Sequence, residues 1–452
     1  SESIEGEVTL YAERIALVSR QGQLSRVGPR RVDRRGLYLG GTRITVRTGT
    51  NYNRVEGLPV LFGPVFQTSS RNPLRFEALA IWRTEDERTR DRFGYTFRAE
   101  QTLGSPQARI SIGGSAFSRV RAIESWGLND LEASLSSFLF HLDHRDYYEE
   151  RGWSVNARTQ LPWKGADIGV EYTDRRMSAL SVAAPWSVFE NGDPWRPLPL
   201  VATGTLQTLS SRLTIDERND PLDPTDGWYL DGRIMWGTGG KLTLPNPVLR
   251  AEATNTSDLG PGVPQSTSFR SGFLDVRRYA RLSPDHDLAL RFVAGGSLGG
   301  DLLPPQLQHA LGGEGSLPGY RLMSIDCGAR SQPLARSSET DAELVFQRYG
   351  CSQFTLFQAE YRGRLPFGGP MWNPESFDEA SSWLPGVDLT PSWVLFFNAG
   401  RGWSQNPDLP DTDTVADLGG GLLIGKLGLY LAVPLTETDR SLNFFVRLQK
   451  RF

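Results

Sequence analysis

The chain has 452 residues, with 49 Lys and Arg against 52 Asp and Glu and a formal net charge of −3. No basic surface marks a nucleic-acid partner, and no compact nucleic-acid motif is present. Mean hydropathy is −0.36, and no stretch approaches the roughly 18 consecutive apolar residues that a membrane helix needs. The opening SESIEGEVTL lacks the basic, apolar and small-residue order of a signal peptide. A soluble chain, a mature secreted chain, or a chain that enters a membrane as strands all remain. Hydropathy misses the last class because only every second residue of a barrel strand meets lipid.

Residues 1–52, Arg-rich between 20 and 35, precede the first expected strand and read as a periplasmic lead-in or a plug segment. From there the alternation has period two. Phe93, Tyr95, Phe97 and Ala99 interleave with Gly94, Thr96, Arg98 and Glu100, and Ala108, Ile110 and Ile112 with Arg109, Ser111 and Gly113. At the end, Leu442, Phe444, Val446, Leu448 and Phe452 share one face. Such alternation predicts strands. In chain order they fall at 53–67, 73–84, 91–102, 106–118, 131–142, 150–161, 165–177 and 206–217. The second half continues with 227–237, 268–281, 286–298, 353–366, 391–402, 414–424, 427–434 and 441–452. That is sixteen, an even number, as closure of a single-chain antiparallel barrel requires.

The polar faces carry arginine at 92, 98, 109, 291, 362, 364 and 447, often beside glycine, and helical patterns that would cover a soluble sheet are nearly absent. This favours an apolar outside and a wet lumen. The long connections 178–205, 238–267 and 299–352 all follow odd-numbered strands, while even-numbered strands end mostly in short turns. That is the extracellular and periplasmic asymmetry of outer-membrane barrels. The fold expected is therefore all-β, a 16-stranded antiparallel transmembrane barrel over 53–452.

The acidic stretch DERNDPLDPTDGW (216–228) lacks the D-x-[DN]-x-[DN]-G spacing and the twelfth-position glutamate of a calcium loop. As a turn it explains more. Pro221 and Pro224 fix φ, Asp223 and Asp226 are expected to cap local amides, and Gly227 supplies a permissive backbone. His141 and His144 have H-x-x-H spacing, but on a strand they point to opposite faces and cannot share a metal. No G-x-S-x-G elbow or other catalytic constellation appears, so an enzyme is not expected, nor any cofactor or metal. Cys327 and Cys351 are the two cysteines of the chain and both lie in 299–352. An oxidising compartment and a paired count argue for a disulfide, with two free thiols or a metal pair as the alternatives. Trp126, Trp153, Trp195, Trp228 and other tryptophans near strand ends suggest interfacial girdles.

With sixteen strands, Asp216, Arg218, Pro221, Pro224 and Gly227 fall in the turn between the eighth and ninth. There the chain resembles the superfamily of outer-membrane protein assembly barrels, the BamA/TamA-like bacterial surface antigens, which carry a D-x-R-x-x-P-x-x-P-x-x-G-like turn at this place. Residues 312–321, GGEGSLPGYR, with Gly312, Gly313, Gly319, Tyr320 and Arg321, resemble the superfamily's loop tip that folds back into the lumen. LGLYLAVPL (427–435) resembles its penultimate strand, terminal Phe452 its C-terminal signal, and NRVEGL (53–58) the opening strand of related barrels. The loop-tip arginine of that pattern is Pro318 here. Glu360 matches the acid it meets in the twelfth strand, and the aspartate in the thirteenth appears as Asn398. Arg321 is then the expected partner of Glu360.

The resemblance implies protein insertion or translocation at the outer membrane of a Gram-negative bacterium, through a seam here placed at 53–67 against 441–452. Its implied partners are outer-membrane lipid and lipopolysaccharide, and other outer-membrane or periplasmic proteins as clients or complex subunits. Residues 1–52 are too few for the POTRA domain that relatives carry. The alternative is thus a structural barrel without POTRA domains, serving as scaffold or partner subunit of a larger outer-membrane complex.

Overall fold

The computed structural model describes residues 38–39, 42–48, 51–68, 70–85, 93–105, 108–161, 165–183, 185–189, 192, 194–196, 198–221, 223–244, 262–325, 327, 350–365, 391–404, 412–425, 427–437, 441–448 and 450–452. The first strands are β1 (Tyr38–Leu39), β2 (Thr42–Thr48), β3 (Val60–Gln67), β4 (Leu74–Trp82), β5 (Phe93–Ser105) and β6 (Ala108–Ala122). A helix, α1 (Asp130–Phe140), precedes β7 (Tyr147–Gln160), β8 (Ala166–Ser178), β9 (Thr203–Asp216), β10 (Gly227–Leu244) and β11 (Val263–Gln265). Then come β12 (Ser268–Ser283), β13 (His286–Ser297), β14 (Gln353–Arg364), β15 (Pro391–Trp403), β16 (Val415–Ile424), β17 (Leu427–Pro434) and β18 (Asn443–Arg447). The two-residue β1 and three-residue β11 are appendages, which leaves sixteen wall strands.

Every ladder is antiparallel, and each wall strand pairs with its neighbour in sequence, from β2 with β3 to β17 with β18. Alternation sets the two faces. In β17, Leu427, Leu429 and Leu431 are exposed while Gly428, Tyr430 and Ala432 are buried. The outward row continues with Leu395, Phe397, Leu418, Leu422, Phe444 and Val446, as a lipid-facing surface requires. Charges go the other way: Asp231, Asp275, Arg291, Glu360 and Arg447 are buried inside. On the wall of β15 to β18 the inner face is apolar as well, where Phe396, Tyr430 and Phe445 pack together, the last two stacked at 4.9 Å.

The strand count agrees with expectation through two compensating differences. Residues 131–142 are not a strand but mostly helix α1, and β2, inside the expected lead-in, takes its place in the wall. The helix has a capping box that outweighs its alternating leucines: Asn129 Oδ1 accepts from the Glu132 amide at 2.9 Å and Asn129 Nδ2 donates to Glu132 Oε2 at 2.7 Å. His141 ends it in the left-handed region, φ 59°. Residues 53–58 form a tight turn, bridged from Asn53 to Gly57, and not an opening strand. The last strand stops at Arg447, and Leu448 and 450–452 are not part of it. Residues 1–37 lie outside the described residues.

Candidate functional site in the barrel lumen

Two connections from the long-loop end fill the upper lumen. The loop 298–352 turns back at its tip, where Gly312 and Gly313 adopt φ of 109° and 86° and Gly313 bridges Leu317. Leu317 and Tyr320 bury into a cluster with Val293, Leu311, Phe354 and Leu356 of the loop and the wall. The Gly319 amide donates to Asp417 Oδ2 at 2.8 Å, and a Cβ on Gly319 would stand 2.6 Å from Asp417 Cβ, so only glycine fits. Asn443 Nδ2 donates to Gly319 O at 2.6 Å, Gln358 Nε2 to Ser316 O at 2.9 Å, and the Tyr320 hydroxyl to Ala416 O at 3.0 Å. The tip is thus tied to β14, β16 and β18.

The charges expected around this tip are rearranged. Arg321 is exposed and does not reach Glu360. Glu360 instead pairs with Arg362, two residues along β14, and faces Arg451 at 3.8 Å. Arg451 Nη2 also donates to Asn398 Oδ1 at 2.8 Å and lies 4.1 Å over the Phe396 ring. Asn398 in turn donates to Asp417, its direct cross-strand partner. The anion expected in β15 therefore stands one strand further on, and the cation comes from the C-terminus. Phe452 accordingly sits inside against Tyr279 and Ala289, off the lipid face.

Helix α1 is the second filler. Glu132 takes both Arg447 Nε at 2.9 Å and Nη2 at 3.0 Å, and accepts from the Leu448 amide at 2.8 Å, just where β18 ends. Ser134 Oγ accepts from the Tyr52 amide at 2.8 Å, and the Tyr52 ring meets Phe138 edge-on at 5.2 Å. The buried Arg54 pairs with Asp143 and Asp146, and Arg83 Nε with Glu56 at 3.0 Å. Sequence reasoning missed Glu132, Asp417, Arg447 and Arg451 as a set. The N-x-x-E box at 129–132 was the signal for the first.

His141 and His144 bind different serines, Ser187 and Ser136, each at 2.9 Å, and ligate nothing together. Trp126 stacks on Phe354 inside the lumen at 5.3 Å and Trp195 is buried on His141, so neither is in a girdle, while Trp153 and Trp228 are exposed. Burial holds His144 below its ordinary value; Glu314 and Asp143 oppose this, and Arg196 and Arg447 reinforce it. A lowered folded value means that its stability contribution is present above the unfolded pKa of about 6.5 and is lost as pH falls through the folded value. Limited proteolysis of the 123–146 connection is therefore expected to accelerate from pH 7.5 to pH 5, and His144→Gln should flatten that dependence.

The turn 217–226 closes the other end. Arg218 grips Asp216 with Nε at 2.8 Å and Nη2 at 2.7 Å and reaches Pro221 O at 3.3 Å. The amides of Thr225 and Asp226 are capped by Asn219, at 3.0 Å each, and not by the aspartates, as Asp223 pairs with Lys450 and Asp226 with Arg278. Gly227 has φ 113° and its Cβ would meet Glu217 O at 2.3 Å. Among the described residues no cluster of three or more metal-ligating side chains occurs.

Cys327 and Cys351 form a disulfide with Cα atoms 4.9 Å apart, beside the two-way backbone bridge of His309 and Cys351. Reduction is expected to speed protease cleavage within the segment it closes while the heat-modifiable gel mobility of the barrel stays unchanged.

Sixteen antiparallel wall strands, a lipid-facing apolar row and an inward-folded loop define a transmembrane β-barrel. A model of the Omp85 superfamily domain matches residues 94–440, and the chain belongs to that superfamily of the Gram-negative outer membrane. The fold is similar to that of BamA from Haemophilus ducreyi lacking POTRA domains 1–3, with a TM-score of 0.50 and 14% identity over 90% of this chain and 69% of that one. CdiB from Escherichia coli scores 0.39 at 12% identity, over 91% of this chain and 63% of that one. CdiB from Acinetobacter baumannii scores 0.36 at 9%, over 90% and 59%. No curated protein matches.

Proposed function

We propose that this barrel acts in the insertion or translocation of polypeptides at the outer membrane, through a lateral seam between β18 and β2. The carrying observation is where pairing stops. Among the described residues ladders run unbroken from β2 to β18, and no register joins Asn443–Arg447 to Thr42–Thr48. On this reading β2 at 42–48 forms one side of the seam, in place of the expected 53–67. An unpaired edge offers backbone donors and acceptors to an incoming strand, which is β-augmentation. Passage straight through the lumen is opposed by the loop tip and α1, so the wall is the open route. The supporting partners are client polypeptides, periplasmic or outer-membrane subunits, and lipopolysaccharide around the apolar row.

The test is a panel of cysteine pairs placed across β2 and β18 and oxidised in cells. Arrest of export or growth that a reductant reverses supports the reading. Full activity with the seam locked would sink it and leave the scaffold role.

A further inference from the structure

Below the loop tip, the lumen holds a cavity of about 660 Å³. Its roof comes from Trp126 and Gly127 and from Gln308 and His309; its floor comes from Arg218, Pro221, Pro224 and Lys450 on the short-turn side. Among the described residues its lining carries nine arginines and one lysine against three carboxylates, Glu124, Asp231 and Asp275. Carboxylates partner most of these cations: Asp216 meets Arg218, Glu132 Arg447, Glu360 Arg451 and Asp223 Lys450. The buried Glu150 serves three arginines (119, 121 and 175), and Asp275 serves two, Arg277 and Arg291.

One pair is in deficit. Arg212 and Arg233 are direct partners in the β9–β10 ladder, and both line the cavity. Like charges directly opposite across strands destabilise each other. Arg212 has Asp231, at 2.6 Å from Nε and 3.1 Å from Nη2. Among the described residues Arg233 has neither a hydrogen bond nor an ion pair. A carboxylate can satisfy one guanidinium fork. A phosphate ester brings about −1.5 to −2 charges and three acceptor oxygens, enough for a free fork and the outer edge of its neighbour.

We infer that this chamber binds a phosphate-bearing ligand, its phosphate seated between Arg212 and Arg233. The volume falls within the roughly 300–1,000 Å³ of small-ligand sites. The phosphate can belong to a soluble ester or to a lipid headgroup, and the site stands whether or not the seam opens.

Titration calorimetry on the detergent-solubilised full chain, with inorganic pyrophosphate at low salt, tests this. Saturable one-to-one binding is expected, weakened at least ten-fold in Arg233→Gln and unchanged in Arg278→Gln, an arginine of β12 outside the cavity. Arg233→Lys keeps the charge without the fork and should fall between. Short-chain phosphatidic acid in a parallel arm assigns the source: tighter than pyrophosphate points to a lipid, weaker to a soluble ester. Heat-modifiable mobility on gels shows that each variant is folded. Absence of saturable binding overturns the inference, as does binding indifferent to Arg233→Gln. So does a penta-aspartate peptide that binds more tightly than pyrophosphate in an Arg233-dependent way, which would make the chamber a peptide site.

Discussion

Replacing Glu132 by alanine is expected to free the end of the last wall strand. Arg447 is buried and loses a two-point partner, and the Leu448 amide loses its acceptor in the same step. Removing one member of a buried ion pair costs about 3–5 kcal/mol because the other charge stays behind. The consequence is local, since α1 ties together two parts of the chain that no ladder joins among the described residues. Glu132 holds the end of β18, while Ser134 and Phe138 hold Tyr52, four residues beyond the end of β2. The helix is thus a brace behind the proposed seam. Spin labels at Val46 and Phe444, both facing outward, should give a broader distance distribution in Glu132→Ala than in the parent.

A second variant separates tether from charge penalty. Replacing both Glu132 and Arg447 by leucine removes the stranded charge and should recover most of the lost stability. The Leu448 amide would still lack its acceptor, so the broad distribution should persist. An unchanged distribution in Glu132→Ala would show that α1 does not brace the seam.

The wall was legible in the sequence because its physics is local. A strand with one face in lipid must alternate, and nearly every segment with that signature from Phe93 onward is a strand in the structure. The failures have local causes too. LEASLSSFLF also alternates loosely, but the capping box at Asn129 and Glu132 favours a helical turn, and buried positions in the lumen reward a helix there. Val60–Gln67 and NRVEGL form one run in the sequence, although Asn53 and Gly57 close a turn between them.

The site was less legible because its contacts are non-local. Glu360 and Asn398 are both buried, each in contact with Arg451. Their partner could not be chosen from spacing, since Arg321 and Arg451 both lie far from them in sequence. What decides between them is that β18 ends at Arg447 and Arg451 turns inward, a departure that no alternation reports. The aspartate that receives the loop tip was recoverable in principle. Asp417 lies directly opposite Asn398 in the β15–β16 register, so an inward Asn398 implies an inward Asp417.

That aspartate gives the second large effect. In Asp417→Ala the Gly319 amide and the Asn398 side-chain amide both lose an acceptor in a dry place, at about 1–3 kcal/mol each. Asn398 also carries the Arg451 contact, so the loss spreads toward Glu360. The loop tip should then detach from β16 more often. Amide exchange at Gly319 and Tyr320 is expected to quicken about ten- to a hundred-fold, the equivalent of roughly 1.4–2.8 kcal/mol of local opening. Planar bilayers should show added conductance as the tip swings away from the lumen. Arg321→Ala is the comparison that gives this result its meaning. Arg321 is exposed, so its removal should leave both readouts unchanged. If Arg321→Ala released the tip while Asp417→Ala left it in place, the latch would be a loop arginine after all, and the rearranged network of Asp417, Asn398 and Arg451 would not be what holds the loop.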